Sequence, residues 1–207
     1  MKAGPFVKWA GGKGQLLSQL DPYLPPHFGR YVESFVGAGA LFFHLYNRGR
    51  LAGLDVILID SLAELIDCYR VVRDSVDELI AGLEQHEAHK HDPDYYYAVR
   101  AWDRHPGYQE RGDVERAARF IYLNRTCYNG LYRVNRKGQF NVPFGRHANP
   151  AVCAPGRLRA ASQALQGVTL LAADFSRCEQ FAAAGDLFYF DPPYHPLSST
   201  AHFTGYT

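Results

Sequence analysis

The chain lacks acidic side chains over one long stretch. No Asp or Glu occurs between Arg116 and Ala173, although the chain contains 21 acidic residues. Nine basic residues fall in this stretch, so the remainder of the chain has an excess of acids. Such segregation favours one polyanion-binding surface on an otherwise acidic body, against the alternative of a solvated basic surface without a partner. The nine residues are Arg116, Arg119, Arg125, Arg133, Arg136, Lys137, Arg146, Arg157 and Arg159.

Paired cysteines and long apolar segments are also lacking. The four cysteines (Cys68, Cys127, Cys153 and Cys178) form no C-x-x-C pair, which argues against a zinc site or a disulfide framework. No apolar segment follows Met1 as it would in a signal peptide, and none approaches the length of a membrane span. With 47% hydrophobic and 21% charged residues, the composition is globular. The scattered cysteines fit a reducing cytosol, which we expect as the environment of the chain.

Two glycine-containing stretches lack the full pattern of a phosphate-binding loop. In Lys8–Gly14, Val7 stands where the first Gly of such a loop belongs, and Gly14 stands where Ser or Thr belongs. In Val36–Ala40, the third Gly of a dinucleotide fingerprint is replaced by Phe42. A pyrophosphate is therefore not the favoured ligand. The first stretch precedes a short predicted helix, so its N–H groups suit a carboxylate or another anion, or it is simply a flexible turn.

Four apolar runs are predicted to be buried strands that alternate with helices, which indicates a parallel α/β sheet. Three of them are followed by an acid, namely Asp60, Asp174 and Asp191. Open α/β sheets bind ligands at the carboxyl ends of their strands, so these acids are candidate ligand contacts. The predicted strands are Arg30–Phe35, Val56–Ile59, Val168–Leu171 and Asp186–Phe190, with helices after Pro155 and before Asp186.

The stretch Asp191–Tyr194 has the chemistry to hold an exocyclic amine of a planar base. Pro192 and Pro193 stiffen the backbone and leave carbonyl oxygens free as acceptors, while Asp191 supplies a carboxylate and Tyr194 a stacking face. Two acceptors match the two N–H groups of such an amine. The alternative is an ordinary strand end with a Pro-Pro turn.

Asp60 lies about 20 residues past Val36–Ala40, which we call the glycine turn. At this spacing an acid reaches ribose hydroxyls in nucleotide-binding βαβ units. The alternative is a strand-end Asp that caps the helix beginning near Leu62. Position and spacing together favour the ligand interpretation.

The middle of the chain changes to helical patterns before the strand–helix alternation resumes. We therefore expect a discontinuous α/β domain, residues 1–62 and 150–207, with an inserted domain over residues 63–149. Helices are predicted at Ala63–Arg73, after a capping box at Ser75–Glu78, at Tyr95–Trp102 and at Asp113–Asn124.

A β-hairpin is predicted within Arg125–Gly145. Asn-Gly and Lys-Gly steps are turn signals, and alternating Tyr, Val and Phe residues flank the second, which places the tip at Arg136–Gly138. Tyr128, Tyr132 and Phe140 are interleaved with cations. Cations for phosphates and rings for the base stack are what a nucleic-acid probe needs.

Five motifs in order resemble those of the Dam-type DNA adenine-N6 methyltransferases, the D12 class. Each motif is weakly specific alone, but their order spans the chain. They are the cofactor motif Lys8–Lys13, the glycine motif Phe35–Gly39, the recognition segment Tyr128–Leu131 with Phe140–Gly145, the catalytic motif Asp191–Tyr194 and the following Pro196–Thr204.

The resemblance implies a Rossmann-like α/β sheet that binds S-adenosylmethionine, with an inserted, mainly helical target-recognition domain that carries the hairpin. It implies methyl transfer to the N6 amine of adenine in double-stranded DNA, in GATC sites, after the base is flipped out of the duplex. It also implies a monomer in the cytoplasm of a bacterial or phage-infected cell, associated with the nucleoid.

The resemblance also implies roles for individual residues. Gly37 and Gly39 would approach the methionine part of the cofactor, Asp60 its ribose and Asp174 its adenine, while Arg133 would read guanine. The catalytic residues would be Asp191, Pro192 and Tyr194. The cofactor contacts would be Trp9, Lys13, Phe35, Gly37, Gly39, Asp60, Asp174 and Asp191. The DNA contacts would be Arg125, Tyr128, Asn129, Leu131, Arg133, Asn135, Arg136 and Lys137.

Other functions stay open at this point. Cytosine-N4 methylation presents the same two amine hydrogens, and a non-catalytic remnant could hold DNA through the basic region alone. A nucleotide kinase is disfavoured by the failed phosphate-loop pattern. Because members of the resembled family continue beyond Thr207, we expect an incomplete sheet with the strand Asp186–Phe190 at an unprotected edge, and a marginally stable chain.

Overall fold

A parallel four-stranded sheet organises the computed structural model, which describes residues 1–192. The strands lie in the order β3-β2-β1-β4, and every neighbouring pair is parallel. Among the described residues β4 pairs only with β1, and the incomplete sheet with an unprotected edge at this strand stays a prediction. The bounds are β1 Arg30–Glu33, β2 Asp55–Asp60, β3 Thr169–Ala172 and β4 Leu187–Tyr189.

Seven α-helices accompany the sheet in the described part of the chain. They are α1 Leu17–Leu20, α2 Ala40–Asn47, α3 Ala63–Asp74, α4 Val76–Glu87, α5 Pro93–Arg100, α6 Asp113–Thr126 and α7 Pro155–Leu165. The helix expected before β4 is a short 3-10 helix, Phe175–Gln180. No helix within residues 1–192 combines the length and apolarity that crossing a membrane requires.

The central strands are buried on both faces, which explains why they are continuous apolar runs. Tyr31 and Val32 are consecutive in β1 and both are fully buried, so their side chains enter opposite layers. Tyr31 joins the main core, whereas Val32 packs in a smaller cluster with Ile59 and Cys178.

The main core continues from the sheet into the helices that follow β2. The helix α3 packs against α6 and α4 on one side and against α7 and β3 on the other. Phe120 and Ile121 of α6 share this core with Leu58 of β2. The division into residues 1–62 with 150–207 and residues 63–149 stays a prediction, since one apolar core spans both parts.

The predicted hairpin is present with its tip at Arg136–Gly138, although one antiparallel bridge, Val134 to Phe140, replaces extended strands. The Asn135 carboxamide builds the turn, because its Oδ1 accepts from the N–H groups of Lys137 at 2.9 Å and Gln139 at 3.1 Å. Asx turns of this kind are a common reason for Asn at such positions.

The predicted capping box at Ser75 is wrong. The Ser75 side chain makes no capping hydrogen bond to α4. The physical reason is that Ser75 also ends α3: its N–H donates to Val71 O, and its φ of −139° and ψ of 45° serve the junction between the two helices.

Candidate active site and nucleic-acid interface

The order in which the chain adds strands to the sheet reverses between β1 and β4. The strands β1, β2 and β3 progress one way, and the chain then returns to place β4 on the other side of β1. In open α/β sheets the crevice at such a switch point, beyond the carboxyl ends of the strands, is where ligands bind. Glu33, Asp60, Asp174 and Asp191 all lie at these carboxyl ends.

Asp191 follows β4 at this crevice and holds a cation. The Lys13 Nζ atom donates to Asp191 Oδ1 at 2.7 Å and also to Gly11 O at 3.0 Å. The Lys13 side chain is 18% exposed and that of Asp191 24%, so the pair is partly shielded from water. The ammonium demonstrates that Asp191 is placed to accept from a nitrogen donor. Pro192 comes next and is exposed, whereas Tyr194 lies outside the described residues.

Asp60 shapes the glycine turn after β1. Its Oδ2 accepts from the Gly37 N–H and its Oδ1 from the Leu62 N–H, each at 3.0 Å. Burial raises the pKa of Asp60, and the two backbone N–H donors oppose that shift. The Leu62 hydrogen bond confirms the interpretation of Asp60 as a strand-end acid at the start of α3, whereas its contact with a ribose stays a prediction.

The glycine turn is packed too closely for any side chain. Gly37 has a φ of +47°, and a Cβ atom there would lie 2.5 Å from the Trp9 indole. Gly39 has a φ of +66°, and its Cβ would meet the Tyr69 hydroxyl at 2.8 Å. The same hydroxyl donates to Gly37 O at 3.0 Å. Both positions require glycine, because φ is positive and because a Cβ atom would have no space. The sequence motif indicated the turn but not this close packing.

A buried acid at the site was missed by sequence reasoning. Glu33 ends β1, is 3% exposed and accepts from the Tyr31 hydroxyl at 2.8 Å. Burial raises its pKa to about 8, and the nearby Asp191 and Asp60 carboxylates add to the shift, although the Tyr31 hydroxyl and the Phe42 N–H oppose it. In the sequence, a single acid such as Glu33 in a short apolar strand does not indicate that its side chain is buried.

Asp174, which is exposed, follows β3, and Phe35, which is half-buried, follows β1. Asp174 Oδ1 accepts from the Ser176 N–H at 3.0 Å, and hydrogen bonds from Ser176 lower the pKa of this carboxyl. The Phe35 ring stacks on Phe175 with centroids 5.4 Å apart, and Phe175 is half exposed. An acid beside a flat apolar surface is suited to a planar ring with an amine edge.

The recognition segment is tied to the N-terminal motif by Asn124, another residue that sequence reasoning missed. Its Oδ1 accepts from the Lys8 N–H at 2.7 Å, and its Nδ2 donates to Lys8 O at 2.8 Å and to Gly130 O at 3.3 Å. Gly130 has no room for a Cβ against Lys8. Asn124 is 1% exposed in α6. Its role in joining the two segments becomes visible only from the residues that it contacts in the folded protein.

The expected DNA contacts fall into an exposed and an internal group. Tyr128, Asn129, Arg133, Arg136 and Lys137 are exposed, and Leu131 is half-buried. Arg133 Nε donates to Asn141 Oδ1 at 2.7 Å, which holds the guanidinium on the hairpin. Asn135 is used in the turn. Arg125 is mostly buried, and its guanidinium donates to Phe6 O at 2.7 Å and 3.2 Å.

The basic stretch is not one continuous polyanion surface. Arg119 is 1% exposed and pairs with Asp103 at 2.8 Å and with Glu64 at 3.3 Å. Arg116 and Arg159 pair with acids from outside the stretch, Asp113 and Asp77. The segregation seen in the sequence is partly cancelled in space because acids before Arg116 fold against it. The exposed cations Arg133, Arg136, Lys137, Arg146 and Arg157 remain.

Comparisons with known proteins identify the family of the chain. A model of the D12 class of N6 adenine-specific DNA methyltransferases matches residues 9–207. The chain is 42% identical to the Type II methyltransferase M.MjaIII of Methanocaldococcus jannaschii, over 100% of the chain and 74% of that protein. It is 41% identical to the Type II methyltransferase M1.LlaDCHI of Lactococcus lactis subsp. cremoris, over 98% and 70%. It is 36% identical to the DNA adenine methylase of Escherichia coli K12, over 97% and 68%. The chain therefore belongs to the D12 class of N6 adenine-specific DNA methyltransferases.

Proposed function

We propose that this chain transfers a methyl group from S-adenosylmethionine to the N6 amine of adenine in double-stranded DNA, within GATC. The observation that carries the proposal is the Asp191 carboxylate at the switch point, which already accepts from a nitrogen donor, Lys13 Nζ, at 2.7 Å. Pro192 follows directly and adds a carbonyl acceptor. The amine of a flipped adenine needs both acceptors.

The residues at the crevice fit the proposed cofactor. S-adenosylmethionine supplies a methyl group on a positively charged sulfur, and the crevice gathers the carboxyl groups of Glu33, Asp60 and Asp191 around the closely packed Gly37 turn. The Asp60 and Asp191 carboxylates disfavour a phosphate there, whereas a sulfonium and ribose hydroxyls are accommodated. The proposed contacts are Trp9, Lys13, Phe35, Gly37, Gly39, Asp60, Asp174 and Asp191.

The proposed chemistry is positioning and electrostatic stabilisation. The adenine amine is a poor nucleophile because its lone pair is delocalised into the ring. Asp191 and the Pro192 carbonyl would accept its two hydrogens and hold the nitrogen with its lone pair facing the methyl group. Lys13 must yield its place on Asp191 Oδ1 when the base enters. Tyr194 is proposed to stack on the base.

The proposed DNA contacts lie on the hairpin and the turn before it. Arg133 is assigned to a guanine edge, since a guanidinium can bond O6 and N7 together. Tyr128, Asn129 and Leu131 are assigned to the flipped or neighbouring bases, and Arg136 and Lys137 to phosphates. Asn135 supports this group through the turn, and Arg125 ties α6 to the N-terminal segment through Phe6 O. We expect the protein to act as a monomer.

A methylation assay tests the proposal. Tritiated S-adenosylmethionine is incubated with the chain and with duplexes that contain GATC or the same bases in scrambled order. We expect label in the GATC duplex alone, recovered as N6-methyladenine after digestion to nucleosides. Equal labelling of the scrambled duplex would remove GATC specificity. Label on cytosine, or binding of DNA without any labelling, would overturn the proposed function.

A further inference from the structure

Neighbouring residues on one hairpin arm point to opposite sides. Arg133 is exposed, whereas Tyr132 is half-buried and faces the protein. Adjacent side chains of an extended segment alternate in this way. Arg133, which is assigned to a DNA base, is therefore the immediate neighbour in sequence of Tyr132, which contacts the interior.

Tyr132 contacts both the N-terminal motif and the start of α3. Its ring stacks on the Trp9 indole with centroids 5.8 Å apart and planes 24° apart. Its hydroxyl donates to Glu64 Oε2 at 3.0 Å. Phe120 and Phe140 hold the ring from other sides, at 5.6 Å and 5.7 Å. The Tyr132 ring therefore has little freedom to move independently of Trp9.

Glu64 is anchored in turn by buried groups. Its Oε1 accepts from the Tyr108 hydroxyl at 3.0 Å and from Arg119 at 3.3 Å. Arg119 also pairs with Asp103 at 2.8 Å.

Asp103 returns this chain of contacts to the hairpin. Its Oδ2 accepts from the Phe140 N–H at 2.8 Å, and Phe140 lies on the arm opposite Tyr132. Both hairpin arms are thus fixed to one polar network, which we call the Glu64 network: Asp103, Tyr108, Arg119, Glu64 and Tyr132. Replacing a single partner in such a network leaves buried groups unsatisfied.

Trp9 also packs against the glycine turn. The indole fills the space above Gly37, where a Cβ would lie 2.5 Å from it, and the Gly37 N–H is bound by Asp60. A shift of Tyr132 that tilts Trp9 must therefore move the turn as well, because packed interiors transmit displacement.

We propose that Tyr132 and Glu64 are positioning residues that couple DNA contact at the hairpin to the Trp9–Gly37 side of the cofactor crevice. The inference rests on the proposed function. DNA held by Arg133 fixes Tyr132, Tyr132 fixes Trp9, and Trp9 fixes the turn at Gly37. Cofactor and DNA consequently strengthen the binding of each other, since coupling of this kind is reciprocal.

Tyr132→Phe and Tyr108→Phe form a matched pair for the test. Each variant removes one hydroxyl that donates to Glu64 at 3.0 Å, but only Tyr132 also contacts Trp9. The first readout is the ratio of the cofactor dissociation constants measured without and with a GATC duplex. Tyr132→Phe should lower this ratio roughly three- to tenfold, the value of one hydrogen bond, whereas Tyr108→Phe should retain it.

The second readout needs no cofactor. The chain has two tryptophans, so Trp102→Phe leaves Trp9 as the sole source of tryptophan fluorescence. Adding the duplex should shift Trp9 emission in this background, and adding Tyr132→Phe should reduce the shift while Tyr108→Phe preserves it. Glu64→Gln, which keeps the shape of the side chain, should also reduce it.

The outcomes separate the two proposals. A wild-type chain that binds DNA but does not bind S-adenosylmethionine contradicts the proposed function, and the emission shift then tests the coupling by itself. Unchanged coupling and emission in Tyr132→Phe, or equal losses in both Tyr→Phe variants, would overturn the positioning role. Absence of any DNA binding overturns both proposals.

Discussion

At the scale of single residues, Asp191 is the proposed acceptor for the adenine amine. We expect Asp191→Ala to lose methyl transfer while duplex affinity changes little, because the exposed cations assigned to phosphates lie elsewhere, on the hairpin. Loss of a preorganised charged acceptor costs on the order of 3 kcal/mol or more at the transition state. Single-turnover rates and DNA-binding isotherms measure the two effects. Near-normal turnover in the variant would remove Asp191 from the mechanism, and Asp55→Ala, at the opposite end of the sheet, is the control.

Gly37 provides a second prediction at this scale. Gly37→Ala and Gly53→Ala both place a side chain at positive φ, +47° and +74°, but only the first meets another atom, Trp9. Each should lose about 1–2 kcal/mol of stability to backbone strain. We expect cofactor affinity, measured by calorimetry, to fall in Gly37→Ala alone. Equal affinities in the two variants would mean that the glycine turn does not approach the cofactor.

At the scale of elements, we propose that the cations of the hairpin have two different tasks. We expect Arg133→Ala to relax discrimination at one guanine position, because a bidentate contact to guanine contributes about 1–3 kcal/mol. Arg136→Ala or Lys137→Ala should weaken binding to every sequence and flatten its salt dependence, as loss of phosphate contacts does. Competition binding with single-base-substituted duplexes at several salt concentrations measures both. If Arg133→Ala weakened all duplexes equally, Arg133 would be a phosphate contact.

The strands show how far the sequence predicts this fold. The apolar runs at Val56–Ile59 and Asp186–Phe190 located β2 and β4 to within one residue at each end, and with them the positions of Asp60 and Asp191. Strand burial on both faces produces a continuous pattern that needs no tertiary information. Ser75 is different, because its backbone serves two helices at once and only their packing decides its conformation.

Residues whose environment depends on distant partners escaped prediction. Arg119 belongs to a basic stretch in the sequence, but Asp103 and Glu64 arrive from other elements to pair with it inside the protein. Glu33 occupies a strand position that would suit an exposed acid equally well. The sequence pattern reports which face of an element is apolar, whereas pairing of buried charges depends on how elements meet.

At the scale of the whole molecule, charge is separated between two surfaces. Carboxyl groups converge at the carboxyl end of the sheet, and exposed cations occur on the hairpin and near it. We propose that phosphates bind at the second surface, so that the DNA backbone lies away from the crevice while a single base enters it.

The free energy of unfolding should fall on both sides of a plateau, for reasons given by two buried groups. Burial raises the pKa of Glu33 to about 8, so from about pH 4.5 to 8 the folded chain retains a proton that the unfolded chain releases. Stability therefore falls as pH rises through this window. Burial, with a smaller effect of His89, lowers the pKa of His86 to about 4, so stability falls as pH drops from about 6.5 to 4.

The two slopes oppose each other between about pH 4.5 and 6.5, and above pH 6.5 the Glu33 term acts alone. We expect Glu33→Gln, which can still accept from Tyr31, to abolish the alkaline decline. Urea unfolding at half-unit steps from pH 6.5 to 8 should then show the variant gaining on the wild type by about 1.4 kcal/mol per pH unit. Glu84→Gln, at an exposed position of α4, is the matched control and should run parallel to the wild type. Parallel curves for Glu33→Gln as well would show that Glu33 is ionised in the folded protein, and that the acids at the crevice are more hydrated than their burial indicates.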